Sequence, residues 1–591
     1  MLRRAALAVA GGGGAAGAYG YKWANDNLGS DALDRIIQFD KVALPAIIDY
    51  KVTEARCEKL PKLLPQLFSE VPEAEQLRRY AVLHQKYKQP LFDIFMQLGG
   101  FYYKSGQKIA SNTGGVVPKV YIDRFQPFLN DIPPRPEAAV RGVIEAELGR
   151  PLEEVFSSFT WAPVGCASIG QTHRATLRST GERVVVKVQN PEAERTFRGD
   201  VLALRVLVDT FFPQASPAFD EIQKQFATEF DYRGECANAQ EVRANLLKAG
   251  FTNVLVPDVH EQLCSRRLMV MEEIYPSIPL HTALDQQAEQ LARQRGVSKA
   301  RFLEIEEARV AHEQREAARK GRLVRQLSSA TYDRYIQLQK GKRSLKRSLK
   351  RAYNGTLGRL IGPLDTEDNV LVPINAARLV DALLGVMGHE VLVDGCFNAD
   401  PHPGNILYLA ETEQLGLIDY GQVKRLTELE RLNCAKAVLL VAASFEHDPR
   451  SNPKADLRAH ARATAAVAAH MHQQGMKTEK MLASTAYELA MVYMGRMDAA
   501  WIYPRNFLQW TDHIQAEDAQ GDLAGLEYFV MVNMASLMIR GLGEMLQQSR
   551  NLAVCWKPYA ERALREKGTL AEVEAEIASW RDADETRVAR V

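Results

Sequence analysis

The stretch Asn398-Ala-Asp-Pro-His-Pro-Gly-Asn405, followed by Leu417-Ile-Asp-Tyr-Gly421, carries the strongest chemical signal in this chain of 591 residues. Asp400 and Asn405 lie five residues apart in a loop rich in proline and glycine, which is the spacing of aspartate and asparagine in a kinase catalytic loop. Asp419 follows an apolar run, where kinases place the metal-binding aspartate of Asp-x-Gly. Each half alone indicates only a turn and a strand, but their order and spacing together predict a phosphotransfer site.

Two upstream segments supply the phosphate contacts that such a site needs. Lys187, in the β-prone run Val184–Val188, fits the strand lysine that contacts nucleotide phosphates. It follows the small-residue loop Pro163-Val-Gly-Cys-Ala-Ser-Ile-Gly-Gln-Thr-His173, whose backbone N–H groups can approach phosphate closely. Either feature alone usually has only a structural role, so the prediction of phosphate binding rests on the loop and the strand lysine occurring together. The candidate cofactor-binding residues lie in these segments or in the predicted hinge strand Met271-Glu-Glu-Ile274: Gly165, Ala167, Ser168, Lys187 and Glu272.

A carboxylate is needed to orient the strand lysine. Glu229 lies in a predicted helix from Phe219 to Ala249, in which apolar residues recur at helical spacing. Glu229 is therefore the candidate partner of Lys187, and an ordinary exposed helical glutamate is the alternative.

The order of these elements resembles the UbiB family, also called aarF-domain-containing kinases. The marker of that family, Lys-x-Gly-Gln, stands here as Lys104-Ser-Gly-Gln107, ahead of the kinase-like segments. The family's alanine- and serine-containing loop is similar to Gly165–His173, and its strand with the conserved lysine motif is similar to Val184–Gln189.

Two further matches extend the resemblance, which runs from about Leu91 to about Arg425. The family's pair of helical acids matches Glu229 and Glu235, and its Asp-Pro-His-Pro-Gly-Asn segment matches Asp400–Asn405. In combination these motifs are highly specific.

The resemblance implies an α+β, bilobal protein-kinase-like fold with an N-terminal helical extension and a mainly helical C-terminal lobe. It implies ATP and Mg²⁺ as cofactors. The implied activity is ATP hydrolysis or phosphotransfer connected to coenzyme Q (ubiquinone) biosynthesis or mitochondrial lipid homeostasis.

The same resemblance gives each candidate residue a role. Asp400 would be the catalytic acid or base, and Asn405 and Asp419 would bind the metal. Lys187 would contact phosphate and be held by Glu229. The contact of the extension with the core would involve the remaining three family residues: Lys104, Gln107 and Glu235.

Three departures from the family pattern matter. Gly165 and Cys166 stand where the coenzyme Q branch usually has alanines, which indicates a branch outside that core group. Asn398 replaces a histidine that often stands two residues before the aspartate, a change expected to alter how the catalytic loop packs. Residues 285–351, rich in charged residues and glutamine, are predicted to be a solvent-exposed insertion that is helical or partly disordered. Its basic end, Lys340–Arg351, could touch anionic lipid or nucleic acid, although a solvated charged face is the simpler interpretation.

The segment after Gly421 is too short for a peptide-docking platform. Thr427-Glu-Leu-Glu430 predicts a capping box that starts the next helix, and no Ala-Pro-Glu anchor follows. A peptide substrate is therefore not expected, and a lipid, another small molecule or plain ATP hydrolysis fits better.

Two other functions remain open from the sequence. One is a small-molecule phosphotransferase of the aminoglycoside or choline kinase type, which has no need of Lys104–Gln107. The other is a non-enzymatic, nucleotide-sensing scaffold on a membrane.

Whole-chain composition limits the partners and the compartment. With 74 basic and 73 acidic residues the net charge is +1, which gives no reason to expect nucleic acid. None of the seven cysteines forms a C-x-x-C pair, which favours reduced thiols in a non-secretory compartment. Residues 1–25 contain Arg3, Arg4 and Lys22 but no acid, which favours mitochondrial targeting over a secretory signal or a disordered tail. Association with the mitochondrial inner membrane is a further expectation.

The predicted organisation has six parts. They are a targeting or membrane-anchor segment (1–30), a helical extension (31–150), a kinase-like N-lobe (151–275), a charged insertion (285–351), a kinase-like C-lobe (352–565) and a C-terminal tail (566–591).

Overall fold

The structure is a computed structural model. It describes residues 30–110, 117–130, 132–167, 169–211, 229–320, 328–364, 373–399, 401, 403–498, 502, 507–519 and 527–581. The chain forms two compact units, the first made of Met1–Ala237 with Asp258–Glu273 and the second of Asn238–Pro257 with Ile274–Val591.

The first unit begins with a helical extension. The helices that lie entirely within the first unit are α1 (Ser30–Glu54), α2 (Leu60–Leu63), α3 (Glu73–Leu98), α4 (Phe101–Ala110), α5 (Lys119–Phe125), α6 (Pro127–Asn130), α7 (Glu137–Leu148), α8 (Leu152–Val155) and α9 (Ala193–Phe211). Aromatic rings fill the core of the extension, where the ring of Phe95 packs against those of Tyr102 and Phe128. Gly149 and Pro151 predict the end of a helix, and α7 does end at Leu148, where Gly149 adopts the left-handed conformation (φ 66°) that favours glycine.

A five-stranded antiparallel sheet forms the rest of the first unit. Its strands are β1 (Phe156–Phe159), β2 (Gly165–Cys166), β3 (Gly170–Leu177), β4 (Arg183–Gln189) and β6 (Leu268–Glu272), in the order β1-β3-β4-β6 with β2 beside β3. Ser179-Thr-Gly-Glu182, between two β-prone runs, predicts a hairpin, and the antiparallel pairing of β3 with β4 confirms it. Val184, Val186 and Val188 are buried on one face of β4, so Lys187 lies on the opposite face.

Helix α10 (Tyr232–Lys248) begins in the first unit and continues into the second. The helices that follow are α11 (Leu280–Gln294), α12 (Lys299–Arg319), α13 (Ser329–Gly355), α14 (Gly358–Ile361), α15 (Ala376–His389), α16 (Glu428–Ser444), α17 (Leu457–Gln473), α18 (Ala483–Met494), α19 (Phe507–Glu517), α20 (Glu527–Met545), α21 (Leu552–Lys567) and α22 (Leu570–Ala578).

The second unit also contains two small sheets. One has the order β5 (Val254–Leu255), β10 (Gln414–Leu417), β9 (Ile406–Leu409) and β7 (Ile278–Pro279). The other pairs β8 (Cys396–Asn398) with β11 (Val423–Arg425). These strands bring the two ends of the predicted phosphotransfer segment together.

The predicted capping box at the start of α16 is confirmed. The Thr427 hydroxyl accepts a hydrogen bond from the backbone N–H of Glu430, and the Glu430 carboxylate accepts one from the backbone N–H of Thr427 at 2.7 Å. The apolar side chains of α16 from Cys434 to Ala442 are buried, and Trp556 of α21 is completely buried nearby in the second unit. This helix is therefore a central element of that unit.

The described part of the predicted insertion is mainly helical. Helix α11 already begins at Leu280, ahead of the predicted boundary, and α12 and α13 carry mostly exposed side chains. Among the described residues, no helix is both long and apolar enough to cross a membrane.

Candidate active site

Lys187 forms a two-point ion pair with Glu235 in the first unit. The Lys187 ammonium lies 2.6 Å from Oε1 and 2.8 Å from Oε2 of Glu235, and 5.1 Å from the centre of the Tyr232 ring. Strand β4 supplies the lysine, and the first turn of α10 supplies the glutamate. A strand lysine held by a helical glutamate is the arrangement that positions nucleotide phosphates in protein kinases.

The predicted pairing of Lys187 with Glu229 is therefore wrong. The Asp231 carboxylate accepts a hydrogen bond from the backbone N–H of Arg233, which is how an acidic residue caps the start of a helix. Because α10 starts at Tyr232, Glu229 lies in the turn before the helix and Glu235 lies in its first turn.

The predicted contact of Glu235 with Lys104 is wrong for the same reason. Lys104 of α4 instead pairs with Glu229, at 3.0 Å from Oε1 and 3.1 Å from Oε2. Gln107 lies one turn further along α4 and is half-buried. The two family acids thus hold two different lysines, with their predicted partners exchanged.

Gly106, between Lys104 and Gln107, has no space for a side chain. A Cβ atom there would lie 2.7 Å from the ring of Phe128, which is fully buried. The glycine of the motif therefore lets α4 pack closely against α6.

The small-residue loop makes a tight turn between β2 and β3. The backbone N–H of Ala167 donates to the carbonyl of Gly170 at 2.7 Å. A side chain on Gly170 would collide with the Val188 carbonyl at 2.6 Å, whereas Gly165 is exposed with open space beside it. Ser168 lies outside the described residues.

Glu272 ends strand β6, where its exposed carboxylate accepts a hydrogen bond from the backbone N–H of Asp258 at 3.2 Å. Its role in cofactor binding stays a prediction. The adjacent Glu273 was not singled out from the sequence, yet its carboxylate pairs with Arg174 at 2.6 Å and Arg183 at 2.8 Å across the sheet.

In the second unit, Asn405 and Asp419 flank the β9–β10 hairpin. Strand β9 begins just after Asn405, and β10 ends just before Ile418, whose backbone N–H donates to the Asn405 carbonyl at 3.2 Å. Asp419 Oδ1 accepts a hydrogen bond from the backbone N–H of Gly421 at 3.0 Å. Both residues are half-buried and line the same small cavity. Asp400 lies outside the described residues, so its catalytic role stays a prediction.

Asn398 ties the start of the catalytic-loop segment to Asp419. Its side-chain amide donates to the Asp419 carbonyl at 2.8 Å, and β8–β11 pairing sets Asn398 opposite Val423. The substitution that the sequence marked as a departure from the family thus forms a specific cross-link.

Glu390 is a buried acid beside this segment that the sequence did not single out. Its Oε2 accepts a hydrogen bond from the backbone N–H of Asn398 at 3.1 Å, while its Oε1 is buried without a hydrogen-bond partner. Burial raises the pKa of Glu390 to about 8. The only sequence signal was a carboxylate within the apolar run Val386–Val393.

A cavity of about 30 Å³ links Glu390 to the two predicted metal ligands. Its walls include Glu390, Asn398, Asn405 and Asp419 together with apolar side chains of the second unit. That volume is enough for about one water molecule.

The chemistry of these residues fits ATP and Mg²⁺. Asn405 and Asp419 offer amide and carboxylate oxygens, which are the ligands that Mg²⁺ prefers in proteins. Lys187 offers an ammonium held in place by Glu235, and the loop from Gly165 to Gly170 offers backbone amides without large side chains. No residue at these positions has a chemistry that conflicts with a nucleotide and a divalent cation.

Comparison with known proteins agrees with this geometry. A profile of the ABC1 atypical kinase-like domain matches residues 128–308 and 365–448. The chain contains an ABC1 atypical kinase-like domain. The resemblance to aarF-domain-containing, UbiB-type kinases and the α+β kinase-like fold are thereby confirmed.

The ABC1 domain has relatives in plants and animals. Protein ACTIVITY OF BC1 COMPLEX KINASE 1, chloroplastic, of Arabidopsis thaliana is 34% identical over 31% of this chain and 28% of its own length. AarF domain-containing protein kinase 1 of Mus musculus is 31% identical over 34% of this chain and 38% of its own length. The solved complex of Rv3197 with erythromycin from Mycobacterium tuberculosis matches 79% of this chain and 97% of its own, with 17% identity and a TM-score of 0.35.

The matched region spans only part of these relatives. It covers 28%, 37% and 26% of the lengths of three plant proteins that are 31–34% identical to it.

Proposed function

We propose that this ABC1-domain chain is an atypical kinase or ATPase that binds ATP and Mg²⁺ and acts in mitochondrial lipid homeostasis or coenzyme Q biosynthesis. The kinase-like part of the proposal rests on the domain match and on the Lys187–Glu235 ion pair. The compartment and the pathway rest on the acid-free N-terminal sequence and on the UbiB resemblance.

The Lys187–Glu235 pair is the observation that carries the proposal. The side chain of Lys187 is 17% exposed and that of Glu235 is 6% exposed. Placing two charges in so dry a setting is costly unless they are paired, and such a pair gives little net stability. A nearly buried strand lysine held at two points is better explained by a need to present an ammonium to phosphate oxygens.

The residues of the chain would divide the work as follows. Lys187 binds and orients the phosphates, and Glu235 keeps the ammonium in place. Asn405 and Asp419 hold Mg²⁺, which supplies charge neutralisation to the phosphates when bound. Asp400 accepts a proton from the attacking hydroxyl or water.

The substrate class follows from the segment after Asp419. Only β11 and the capping box lie between Gly421 and α16, which leaves little chain for a peptide platform. A lipid, another small molecule or water is therefore the proposed acceptor.

The decisive experiment measures magnesium-dependent ATP turnover by the purified full chain and by its Asp419→Asn variant. Turnover is expected in the wild type and is expected to fall at least about a hundredfold in Asp419→Asn, since a metal ligand is lost. Asp285→Asn, at an exposed position on α11, is the matched control and should keep wild-type turnover. Equal turnover in Asp419→Asn and wild type, or none in either with no magnesium-dependent nucleotide binding, would overturn the proposal.

The compartment needs its own test. A fluorescent fusion of the full chain is expected in mitochondria, and a fusion without residues 1–25 is expected outside them. If both fusions were mitochondrial, the N-terminal segment would not be the targeting signal. If neither were mitochondrial, the proposed compartment would be wrong.

A further inference from the structure

Residues 334–364 combine two properties that are rarely found together on a solvated surface. The segment contains nine basic residues and no acidic residue. It also contains eight large apolar side chains that are exposed: Tyr335, Leu338, Leu345, Leu349, Leu357, Leu360, Ile361 and Leu364. Single exposed apolar residues need no explanation, but a group of this kind marks an interaction surface.

Helix α13 has an inner face that is fixed to the second unit. Asp333 Oδ1 accepts from the Asn375 side-chain amide at 2.7 Å and pairs with Arg378 at 2.6 Å. Ile336 is 3% exposed, and the Lys340 ammonium lies 2.9 Å from Glu413. These anchors recur at helical spacing, so they define one side of the helix.

The opposite side of α13 carries an exposed stripe. Leu338, Lys342, Leu345 and Leu349 lie four, three and four residues apart, which places them in one row along the helix. The three leucines are 63–64% exposed. Lys346 lies beside this row, one turn after Lys342. We call these five residues the leucine–lysine face.

The end of α13 brings the second apolar group back to the helix. The Asn354 side chain accepts from the backbone N–H of Leu364 and donates to its carbonyl, both at 2.7 Å. This clamp holds the turn that contains Leu360 and Ile361, which are 86% and 74% exposed, near the C-terminal end of α13.

The segment lies between the two parts of the chain that match the kinase-like domain. The ABC1 profile matches residues up to 308 and resumes at 365, so it skips the whole leucine–lysine face and the clamp. The exposed apolar face thus belongs to a segment that the domain profile does not describe, and its apolar and basic side chains are the observations that bear on its role.

We propose that the leucine–lysine face binds the surface of an anionic lipid bilayer. A helix with an apolar stripe and flanking lysines lies in the plane of such a surface, with its leucines at the boundary of headgroups and acyl chains and its ammonium groups at the phosphates. Nucleic acid offers the negative charge but no apolar layer for three leucines. The proposal is independent of the proposed phosphotransfer, because vesicle binding needs no turnover.

The test is sedimentation of the full chain with vesicles of phosphatidylcholine, with and without phosphatidylglycerol. Wild type is expected to bind the anionic vesicles more tightly than the neutral ones, and added salt is expected to weaken that binding. The double variant Leu345→Ser/Leu349→Ser should lose at least about tenfold in affinity. Lys342→Gln/Lys346→Gln should lose about 25-fold, since each lysine near the surface contributes about fivefold.

Matched controls lie on α17 and just before it. Leu457→Ser removes a leucine that is 69% exposed, and Lys454→Gln removes an exposed lysine. Both are expected to bind vesicles like wild type. Unchanged melting temperatures of all the variants would establish that the losses are not caused by unfolding.

Three results would overturn the proposal. The first is equal vesicle affinity of wild type and both double variants. The second is loss of self-association, measured by sedimentation velocity, in the leucine variant with vesicle binding intact, which would make the face a contact between copies. The third is tight binding of wild type to duplex DNA with no preference for anionic vesicles.

Discussion

Lys187 and Glu235 meet through both carboxylate oxygens, at 2.6 and 2.8 Å, although they are 48 residues apart in the chain. Strand β4 and the first turn of α10 fix the two ends, so the ammonium has one position rather than many. Preorganised charge of this kind stabilises a developing phosphate charge without reorganisation at the moment of reaction.

Glu235→Gln is therefore expected to lower ATP turnover by about a hundredfold, because the lysine loses the group that positions it. Steady-state turnover of the purified variant checks this. Glu153→Gln, which breaks an exposed pair with Arg141, is the control and should behave like wild type, since exposed pairs contribute little. A loss in Glu229→Gln without a loss in Glu235→Gln would instead restore Glu229 as the partner of Lys187.

The sequence identified the two glutamates that contact lysines, but it could not show which lysine each glutamate contacts. Glu229 and Glu235 both suit an apolar-periodic helix, and periodicity does not show where that helix begins. The start at Tyr232 depends on the side chain of Asp231 bonding to the backbone of Arg233, which is a local contact rather than a pattern. By contrast, the β3–β4 hairpin and the end of α7 at Gly149 could be predicted from the sequence. Two β-prone runs around a short turn indicate a hairpin, and a glycine that can adopt the left-handed conformation indicates the end of a helix.

The second unit shows the same limit at its site. The order and spacing of the motifs predicted Asn405 and Asp419 as a pair of metal ligands. Strands β9 and β10 bring these two residues to the two ends of one hairpin. The position of Glu390 beside the site could not be predicted, since a single acid in an apolar run forms no recognisable sequence pattern. Its proximity to Asn398 arises only when the turn after α15 folds back to β8.

Gly106→Ala tests the close contact of α4 with α6. The added Cβ would lie 2.7 Å from the Phe128 ring, so the free energy of unfolding is expected to fall by about 1 to 3 kcal/mol. Denaturant unfolding measures this change. Gly142→Ala on α7 is the matched control, because nothing lies within 4 Å of its added Cβ. That control should gain roughly 0.5 to 1 kcal/mol from higher helix propensity. Equal effects of the two variants would contradict the packing explanation.

Asn398→Ala tests the cross-link to Asp419. The variant leaves the Asp419 carbonyl without its 2.8 Å amide donor, which is expected to loosen the backbone that carries the proposed metal ligand. The Mg²⁺ concentration that gives half-maximal ATP turnover is expected to rise at least about tenfold. Asn452→Ala removes a comparable side-chain bond to a backbone carbonyl in an exposed loop and should leave that concentration unchanged. A lower maximal rate with an unchanged Mg²⁺ requirement would place Asn398 outside metal binding.

Glu390 should make the stability of the fold depend on pH. Burial, opposed by the Asn398 backbone bond and reinforced by Asp394, raises the pKa of Glu390 to about 8, from 4.5 without burial. The fully buried Tyr420 and the buried Cys396 are further titratable groups close to it. A carboxyl with a raised pKa takes up a proton on folding, so the free energy of unfolding falls as pH rises between these two values.

Glu390→Gln removes this proton uptake and keeps an oxygen that can accept from the Asn398 N–H. The variant is expected to be more stable than wild type at pH 8 by several kcal/mol, at about 1.4 kcal/mol for each pH unit crossed, and nearly equal to it at pH 5. Denaturant unfolding across this range gives the difference, and Glu411→Gln at an exposed position should keep the wild-type pH dependence. Parallel curves for wild type and Glu390→Gln would mean that the folded protein holds Glu390 ionised. The small cavity at Oε1 would then have to contain the water that solvates the charge.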